Sequence, residues 1–376
     1  MAWVPALSGW LVTSHAEAVA VMRDSRTFTV DDPRFSTARV VGPSMLSLDG
    51  AAHARHRAPF FSAFHRGDAS ARLGTFAETE AARLVAAIRP RRHAELRQTV
   101  TGPLAVSVVA GALGLGHLRT EDILSGYARI VGGVTGLSGD QTAAYAEPGP
   151  DAAAAFAELA AHLRAAIRKG DGGDRPDAGA PGGAPWGRTV LADAARSGDL
   201  TTAEVVSDAA VVMFGGIDTT DGMIANAVLH LLSDPGQLEL VRVDPRLVTA
   251  AIEESLRLEP AAALLDRYAT RDAPIGGAKI RAGDRVSVSL AAANRDPAVF
   301  RDPDRFDIFR SSAGRHLAFA HGPHFCIGAT LARAETRAAV GALLALPRLR
   351  LDPDRPAAPR GLIFRKPPAL HVTWDP

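Results

Sequence analysis

The chain has 376 residues, 47% of them hydrophobic, so it is long enough for one or two domains with a sizeable buried core. Its 42 basic and 41 acidic residues leave a net charge of +1, which excludes a broadly basic surface for nucleic acid or an anionic membrane. Its single cysteine excludes an intramolecular disulfide and indicates a reducing compartment.

The N-terminal residues lack the pattern of a secretion signal. No basic residue precedes Arg23, and Pro5, Ser8 and Gly9 interrupt the early apolar stretch. The longest apolar run, residues 104–115, is too short to span a bilayer. These features predict a cytoplasmic protein without membrane insertion.

The first predicted elements are a strand at residues 10–13 and a helix that starts after Ser14, where Glu17 completes a capping box. A later helix carries His53 and Arg57, four residues apart and therefore on one face. Two cationic side chains a turn apart can bind an anion. At this spacing, however, basic residues more often form a solvated face.

The chain is predicted to be mainly α-helical with a small β region. A segment rich in Gly, Pro and Asp, residues 169–188, is interpreted as an exposed connector within a single domain rather than as a domain boundary. Further stretches with apolar residues at helical spacing are 69–88, 98–115, 120–135 and 151–168.

A long helix is predicted at about residues 202–232, and its middle is unusual. Gly215 and Gly216 lie inside an apolar helix, where each glycine costs about 1 kcal/mol relative to alanine. Asp218 and Thr219 follow them directly. We interpret the glycines as allowing a close approach to the backbone at a locally opened turn, where the acid and the alcohol could deliver protons. A simple helix kink would explain the same residues.

Residues 248–258 form a predicted helix that carries Glu254 and Arg257 on one face. An isolated pair at this spacing is common and weakly stabilising. Farther along, turn glycines and the alternation at residues 286–290 predict a small β-sheet, with Arg267 on one of its strands.

The only cysteine, Cys326, lies in the loop 319–328, just before a helix predicted at about residues 327–346. The N-H groups and the positive dipole end of that helix would favour the thiolate form. Gly322 and Gly328 let the backbone fold tightly around one atom. We therefore predict that Cys326 ligates iron, although a lone cysteine is more often a small buried hydrophobe.

At these residues the sequence resembles the cytochrome P450 family. The haem-thiolate signature of that family reads F-x-x-G-x-H-x-C-x-G, and its fixed places are filled by Phe319, Gly322, His324, Cys326 and Gly328. The earlier motifs occur in the family's order, so the resemblance covers almost the whole chain. The family usually carries a longer lead before the first strand.

The resemblance implies one cytochrome P450 domain over residues 1–376, with haem b between the central helix at about 202–232 and the loop 319–328. Cys326 would be the axial ligand of the iron, and Asp218 and Thr219 would relay protons to bound dioxygen. A structural trio would consist of Glu254, Arg257 and Arg310. The other residues implied to bind the cofactor are His53, Arg57, Arg267, Phe319, His324 and Gly328.

The resemblance also implies an oxidoreductase that inserts oxygen into a small apolar organic substrate, possibly in secondary metabolism. The chain has no nucleotide-binding glycine motif, so NAD(P)H would act only indirectly, through a ferredoxin reductase and a ferredoxin. We expect the ferredoxin to dock on the cysteine side, at a patch formed by Arg66, Arg72, Arg333 and Arg337.

The substrate pocket of the family is lined by segments that carry no motif. A lid is expected at residues 137–150. The remaining pocket walls are expected before His53, at residues 126–155, around Phe214 and Leu264, and at Ile363 and Phe364 near the C-terminus.

Three alternatives remain open. The same scaffold could perform coupling or ring formation, or it could be driven by peroxide, although Asp218 and Thr219 suit dioxygen better. From a different class, a non-enzymatic haem-binding or zinc-binding protein could use His321, His324 and Cys326.

Overall fold

The computed structural model describes residues 1–65, 69–138, 149–171 and 189–376. Helices dominate and the sheets are small, which confirms the predicted fold class. Within the described ranges, no helix combines the length and apolarity needed to cross a membrane. The α-helices are α1 (His15–Arg23), α2 (Ser36–Val41), α3 (Gly50–His65), α4 (Ala69–Ile88), α5 (Gly102–Ala112), α6 (Thr120–Ser138), α7 (Pro150–Asp171), α8 (Val190–Ala195), α9 (Thr202–Ser233), α10 (Pro235–Val243), α11 (Val248–Leu258), α12 (Leu290–Ala293) and α13 (Ala329–Leu344).

The strands are short and most lie in the second half of the chain. They are β1 (Ala2–Val4), β2 (Gly9–Val12), β3 (Phe28–Thr29), β4 (His93–Glu95), β5 (Leu264–Ala269), β6 (Ala273–Ile275), β7 (Ala278–Ile280), β8 (Arg285–Ser289), β9 (Arg350–Leu351) and β10 (His371–Thr373).

The chain divides into two compact units. Unit 1 comprises Met1–Thr27, Gly74–Ala105 and Ile217–Pro376, and unit 2 comprises Phe28–Leu73 and Val106–Gly216. The boundary between Gly216 and Ile217 falls inside α9. A single domain over the whole chain stays a prediction.

Unit 1 contains sheets, and two of their strands, β5 and β8, lie in the region where a small β-sheet was predicted. One has the strand order β1, β2, β8, β5, in which β2 and β8 are parallel and the other pairs antiparallel. Val286 and Val288 of β8 are fully buried. In a second sheet, β10 lies between β4 and β9. The predicted helix cap is confirmed, because the hydroxyl of Ser14 accepts a hydrogen bond from Glu17 N at 3.3 Å.

Unit 2 is helical, and its helices approach one another closely. α6 packs against α7, and α3 packs against α8. A Cβ atom at Gly133 of α6 would lie 2.4 Å from the Cβ of Ala152 on α7. Any larger residue at Gly133 would therefore push the two helices apart.

Two predicted helices differ from the structure at their ends. The helix expected over residues 98–115 starts as a π-helix at Arg97–Thr101 and continues as α5. Gly102 permits this wider turn, because a Cβ there would lie 2.6 Å from Arg97 O. The helix after the cysteine loop is α13, which starts at Ala329 and ends at Leu344, two residues short of the prediction at each end.

Candidate functional site

The backbone of a tight loop before α13 determines the position of Cys326. Its N-H group donates to Phe319 O at 2.9 Å, which closes the loop. Gly322 turns the chain with a φ of +75°, and a Cβ there would lie 2.6 Å from Met22 O. Only glycine fits this turn without displacing the backbone.

The Cys326 sulfur lies at an accessible helix N-terminus. Cys326 is exposed, and Gly328 is the N-cap residue of α13. A Cβ at Gly328 would lie 4.0 Å from the sulfur, which is ordinary van der Waals contact, so the sulfur itself does not require a glycine at this position. The unpaired N-H groups and the dipole of α13 favour a thiolate here. His324 and Phe319 belong to the same loop, as predicted.

Arg333 anchors α13 to α11. Its guanidinium group donates to the two carboxylate oxygens of Glu253 at 2.6 Å and 2.9 Å. It also covers the Phe319 ring, 4.4 Å from the centroid. Burial would raise the pKa of Glu253, but bonds from Arg333 and His316 lower it to about 2. Arg333 is thus engaged internally, whereas the sequence analysis expected it to belong to a docking patch.

The glycine pair lies in α9, which is helical without interruption across residues 214–220. The expected locally opened turn is therefore wrong. A Cβ at Gly215 would meet nothing within 4 Å, whereas one at Gly216 would lie 3.1 Å from a methyl group of Val109. Gly216 thus serves close helix packing within unit 2, and Gly215 leaves space beside the backbone.

Asp218 is held by a cation that the sequence analysis missed. The ammonium group of Lys366 forms a short ion pair with the Asp218 carboxylate and donates to Asp218 O at 3.2 Å. It also contacts Asp221 Oδ2 at 2.8 Å. No local pattern could reveal this pairing, because Lys366 and Asp218 are 148 residues apart in the sequence.

Asp221 is buried and accepts three hydrogen bonds from two residues besides Lys366. Arg97 donates to its Oδ2 atom at 3.0 Å and 2.7 Å, and the Thr101 hydroxyl donates to Oδ1. Arg97 also donates to the carbonyls of Pro367 and Pro368, at 3.2 Å and 2.8 Å. The π-helix and the C-terminal segment thus meet at this carboxylate.

The predicted anion-binding pair lies on α3 in unit 2. His53 is buried, Arg57 is half-buried, and the Arg57 guanidinium lies 5.9 Å from the centroid of the Phe61 ring. Asp49 stabilises the segment before this helix, because it accepts hydrogen bonds from Thr29 Oγ1 at 2.7 Å and Val30 N at 2.9 Å. Contact of His53 and Arg57 with a cofactor stays a prediction.

A buried His-Asp pair, which the sequence analysis also missed, joins α3 to α9 within unit 2. His56 Nδ1 lies 2.9 Å from Asp208 Oδ2, and both side chains are almost fully buried. Asp208 also accepts from Met45 N at 2.6 Å. Next to it, Arg55 donates to Glu204 at 2.6 Å. The two acids lie one turn apart on α9, but their spacing alone does not indicate partners on α3.

The other predicted residues of unit 1 lie on separate elements. Arg267 is buried on β5, where its guanidinium donates to Asp266 O at 2.8 Å. The structural trio is confirmed: Arg257 and Arg310 both donate to Glu254. Thr219 is half-buried on α9.

One further acid on α13 was not anticipated. Glu335 is buried, and its Oε2 atom has no hydrogen-bond partner among the described residues. Burial raises the pKa of Glu335 well above its usual value, because the charged carboxylate would lose its hydration.

The expected pocket walls are described only in part. Residues 139–148 of the lid and of the segment 126–155 lie outside the described residues, as do residues 172–188 of the connector and Arg66 of the docking patch. In unit 2, the Tyr127 hydroxyl donates to Phe214 O at 3.4 Å. In unit 1, Ala263 N donates to Ile363 O at 2.7 Å, next to Leu264.

Comparisons with known proteins identify the family of this chain. A family model described as cytochrome P450 matches residues 188–372. Nocardicin C N-oxygenase of Nocardia uniformis is 33% identical over 97% of this chain and 89% of its own length. Cytochrome P450 monooxygenase PikC of Streptomyces venezuelae is 33% identical over 97% of this chain and 85% of its own.

Solved structures share the fold. P450BioI, crystallised with an acyl carrier protein that carries hexadec-9Z-enoic acid, has a TM-score of 0.84 and 29% identity, covering 98% of this chain and 92% of that one. Relatives that match nearly end to end at this identity show the family. The chain therefore belongs to the cytochrome P450 family and is a bacterial-type monooxygenase.

Proposed function

We propose that this enzyme binds haem b through the Cys326 thiolate and oxidises a small, largely apolar organic molecule with dioxygen. The observation that carries the proposal is the placement of Cys326, held by backbone bonds at the N-terminus of α13 with its sulfur accessible. Membership of the family implies a haem-thiolate cofactor and the use of dioxygen.

The donor set fits haem better than zinc. A structural zinc site takes four protein ligands and a catalytic site three, whereas a haem-thiolate iron takes one. In the described parts of the chain, no group of three His, Cys, Asp or Glu side chains is arranged to hold a metal ion. This argues against a zinc site formed by His321, His324 and Cys326.

The chemistry of dioxygen activation belongs to the cofactor, and the chain supplies orientation, charge and protons. Cys326 would hold the iron and donate electron density to it. Asp218 and Thr219 would hold protons on α9 and pass them towards the reacting oxygen. Cationic donors would compensate the haem carboxylates, which are costly to bury alone: His53, Arg57, Arg267 and His324.

The electrons would come from a ferredoxin and its reductase, so that NAD(P)H acts only indirectly. A cytoplasmic location belongs to the same proposal. The docking surface would lie beside the cysteine loop, where Arg337 on α13 is exposed. Arg72 is exposed on α4. The charge of Arg333 is largely satisfied by Glu253, so Arg333 would contribute less to such a surface.

The proposed substrate class is an apolar product of secondary metabolism. Nocardicin C N-oxygenase, one of the relatives, is named for the oxidation of nocardicin C, and the P450BioI structure contains a carrier protein with an apolar hexadec-9Z-enoic acid chain. Coupling or ring formation on the same scaffold remains the second candidate. Analysis of products by mass spectrometry separates the two, because hydroxylation adds one oxygen atom and coupling removes hydrogen.

The deciding experiment is an absorption spectrum of the purified protein, reduced with dithionite and exposed to carbon monoxide. We expect the red-shifted Soret band of thiolate-ligated haem, and we expect Cys326→Ala to abolish it while the chain stays folded. Circular dichroism provides the folding control.

A Soret band at the position typical of histidine ligation would reject Cys326 as the ligand. A folded protein that contains zinc and no haem would reject the whole proposal. Turnover with peroxide alone, at the rate supported by ferredoxin, would favour the peroxide-driven alternative.

A further inference from the structure

Lys366 joins two carboxylates that lie one turn apart on α9. Its ammonium group contacts the carboxylate of Asp218 and lies 2.8 Å from Asp221 Oδ2. Its side chain is 11% exposed, compared with 22% for Asp218 and 5% for Asp221. The three charges are thus largely withdrawn from solvent. Their mutual attraction is stronger in this environment than at a surface.

Gly222 makes room for the lysine to reach both acids. A Cβ at Gly222 would lie 3.2 Å from Lys366 Cδ and 3.1 Å from the Cβ of Ala261. Two bonds hold the turn that carries Lys366: Arg365 donates to Glu259 at 2.6 Å, and Asn226 of α9 donates to Arg365 O at 2.9 Å. The lysine therefore extends from an anchored backbone.

Asp221 has its own permanent cation. Arg97 binds Asp221 through two nitrogens, so two cations and two acids balance in this cluster. Burial would raise the pKa of Asp221, but Lys366 and Arg97 lower it below its usual value. Asp221 therefore stays ionised and available to Lys366.

We propose that Lys366 is a positioning residue for Asp218: it holds the Asp218 carboxylate, and Asp221 gives its ammonium group a second anchor. If Lys366 moves away from Asp218, its buried charge remains paired with Asp221. Release therefore avoids the large penalty of an uncompensated charge. Asp218 can then alternate between an ion-paired state and a free state at low cost.

The inference rests on the proposed function, in which Asp218 passes protons. The balance between Asp218 and Asp221 as partners of Lys366 would thus set how often the Asp218 carboxylate is free to pass protons. The other charged groups next to the cluster are Arg97 and Glu95, which binds the backbone N-H of Arg97.

Two variants of the haem-loaded enzyme should shift this balance in opposite directions. Lys366→Met removes the cation, so the acid limb of the pH profile of activity should move to higher pH. Asp221→Asn leaves Lys366 paired with Asp218 alone, so the limb should move to lower pH. The measurement is the rate of NAD(P)H consumption and the hydrogen peroxide released per NAD(P)H, with ferredoxin and its reductase, between pH 5 and pH 9.

A purely structural role would predict something else, namely lower activity in both variants with the limb unmoved. Arg246→Met is the control, because it removes an exposed ion pair elsewhere in unit 1 and should leave the limb in place. Lys366→Arg should restore the wild-type profile. Should Asp221→Asn fail to fold, Lys366→Met and Lys366→Arg still decide the question.

Chemical unfolding provides a readout that needs no turnover. If Lys366 holds Asp218, the stability losses of Asp218→Asn and Lys366→Met should be less than additive in the double variant. Fully additive losses would overturn the inference.

Failure of the inference and failure of the proposed function are distinguishable through Asp218→Asn. If this variant keeps the wild-type limb, Asp218 does not relay protons, and the proposed role fails. If it abolishes the limb but Lys366→Met leaves it unmoved, only the inference about Lys366 is overturned.

Discussion

Arg257 shows how a charged residue can be buried at little cost. Its side chain is fully buried, and its guanidinium makes five hydrogen bonds. Two go to Glu254 at 2.8 Å, and the others go to backbone carbonyls of the segment 294–305. Because a guanidinium has five N-H donors, none has to remain without an acceptor.

Replacing this arginine should therefore be costly. Arg257→Met would leave the buried Glu254 charge with Arg310 as its one cationic partner among the described residues and would release the carbonyls of the segment 294–305. We expect a loss of about 3–5 kcal/mol in the free energy of unfolding, measured with urea.

Arg83 provides the matched control for this prediction. It forms the same i, i+3 pair with Glu80, but its side chain is 64% exposed. Arg83→Met should cost less than about 1 kcal/mol. Equal losses at both positions would show that burial of Arg257 is not what makes its pair matter.

At the scale of elements, the joint between α3 and α9 is polar and buried. Asp208 of α9 binds both His56 of α3 and the backbone of Met45, which precedes that helix. The pair therefore sets the position of the helix that carries His53 and Arg57. Burial, partly offset by the bonds from Met45 and His56, raises the pKa of Asp208 to about 6.

This pKa predicts an unusual pH dependence of stability. Between its unfolded pKa of 3.8 and its folded pKa of about 6, Asp208 binds more protons in the folded state. Stability from this group therefore rises as the pH falls through 6. From pH 7 to pH 5 we expect a gain of about 1 kcal/mol, which should vanish in Asp208→Asn.

Urea unfolding at the two pH values tests the prediction. Glu204→Gln is the control on the same helix, because the pKa of Glu204 is lowered to about 2 and its charge does not change in this range. If Asp208→Asn gains as much stability on acidification as the wild-type enzyme, Asp208 is ionised throughout.

The elements themselves were largely predictable from the sequence. The predicted bounds of α4 and α11 agree with the structure, because apolar residues at helical spacing mark their buried faces. The π-helix at Arg97–Thr101 was not predictable, since it depends on one close approach at Gly102. The prediction that a turn of α9 opens at Gly215 was wrong, because the backbone hydrogen bonds of this long helix continue through both glycines.

The candidate site was predictable in its loop and not in its partners. The Cys326 loop consists of residues that are contiguous in the sequence, so its geometry could be predicted from them almost completely. Lys366, Arg97 and Asp208 act on residues more than 100 positions away. Their side chains satisfy buried charges that exist only after the chain has folded, and no spacing in the sequence encodes such pairs.

For the whole molecule, the near-neutral charge makes recognition of an electron donor depend on local patches. Arg337 is exposed on α13, the helix that starts next to Cys326. Arg333, on the same helix, is committed to Glu253. We therefore expect Arg337 to act through long-range attraction of an acidic ferredoxin, and Arg333 to act mainly through stability.

Charge reversal tests this distinction. Arg337→Glu should lower the rate of reduction by ferredoxin about tenfold at low salt, and the difference should shrink as salt is added. Stopped-flow absorption of the haem measures the rate. Arg246→Glu, at another exposed arginine, is the control and should leave the rate unchanged. An unchanged rate in Arg337→Glu would move the docking surface elsewhere.

The central strand of the small sheet in unit 1, β10, comes almost at the end of the chain, yet its partner β4 lies in the first third. Glu95 accepts a hydrogen bond from Leu370 N, a contact that spans 275 residues. During synthesis on the ribosome, β4 emerges long before β10, the strand with which it pairs. The unit that carries Cys326 can therefore complete its fold only after translation has reached residues 371–373. A truncation before residue 371 should therefore impair the folding of that unit, because β4 would lose its partner strand.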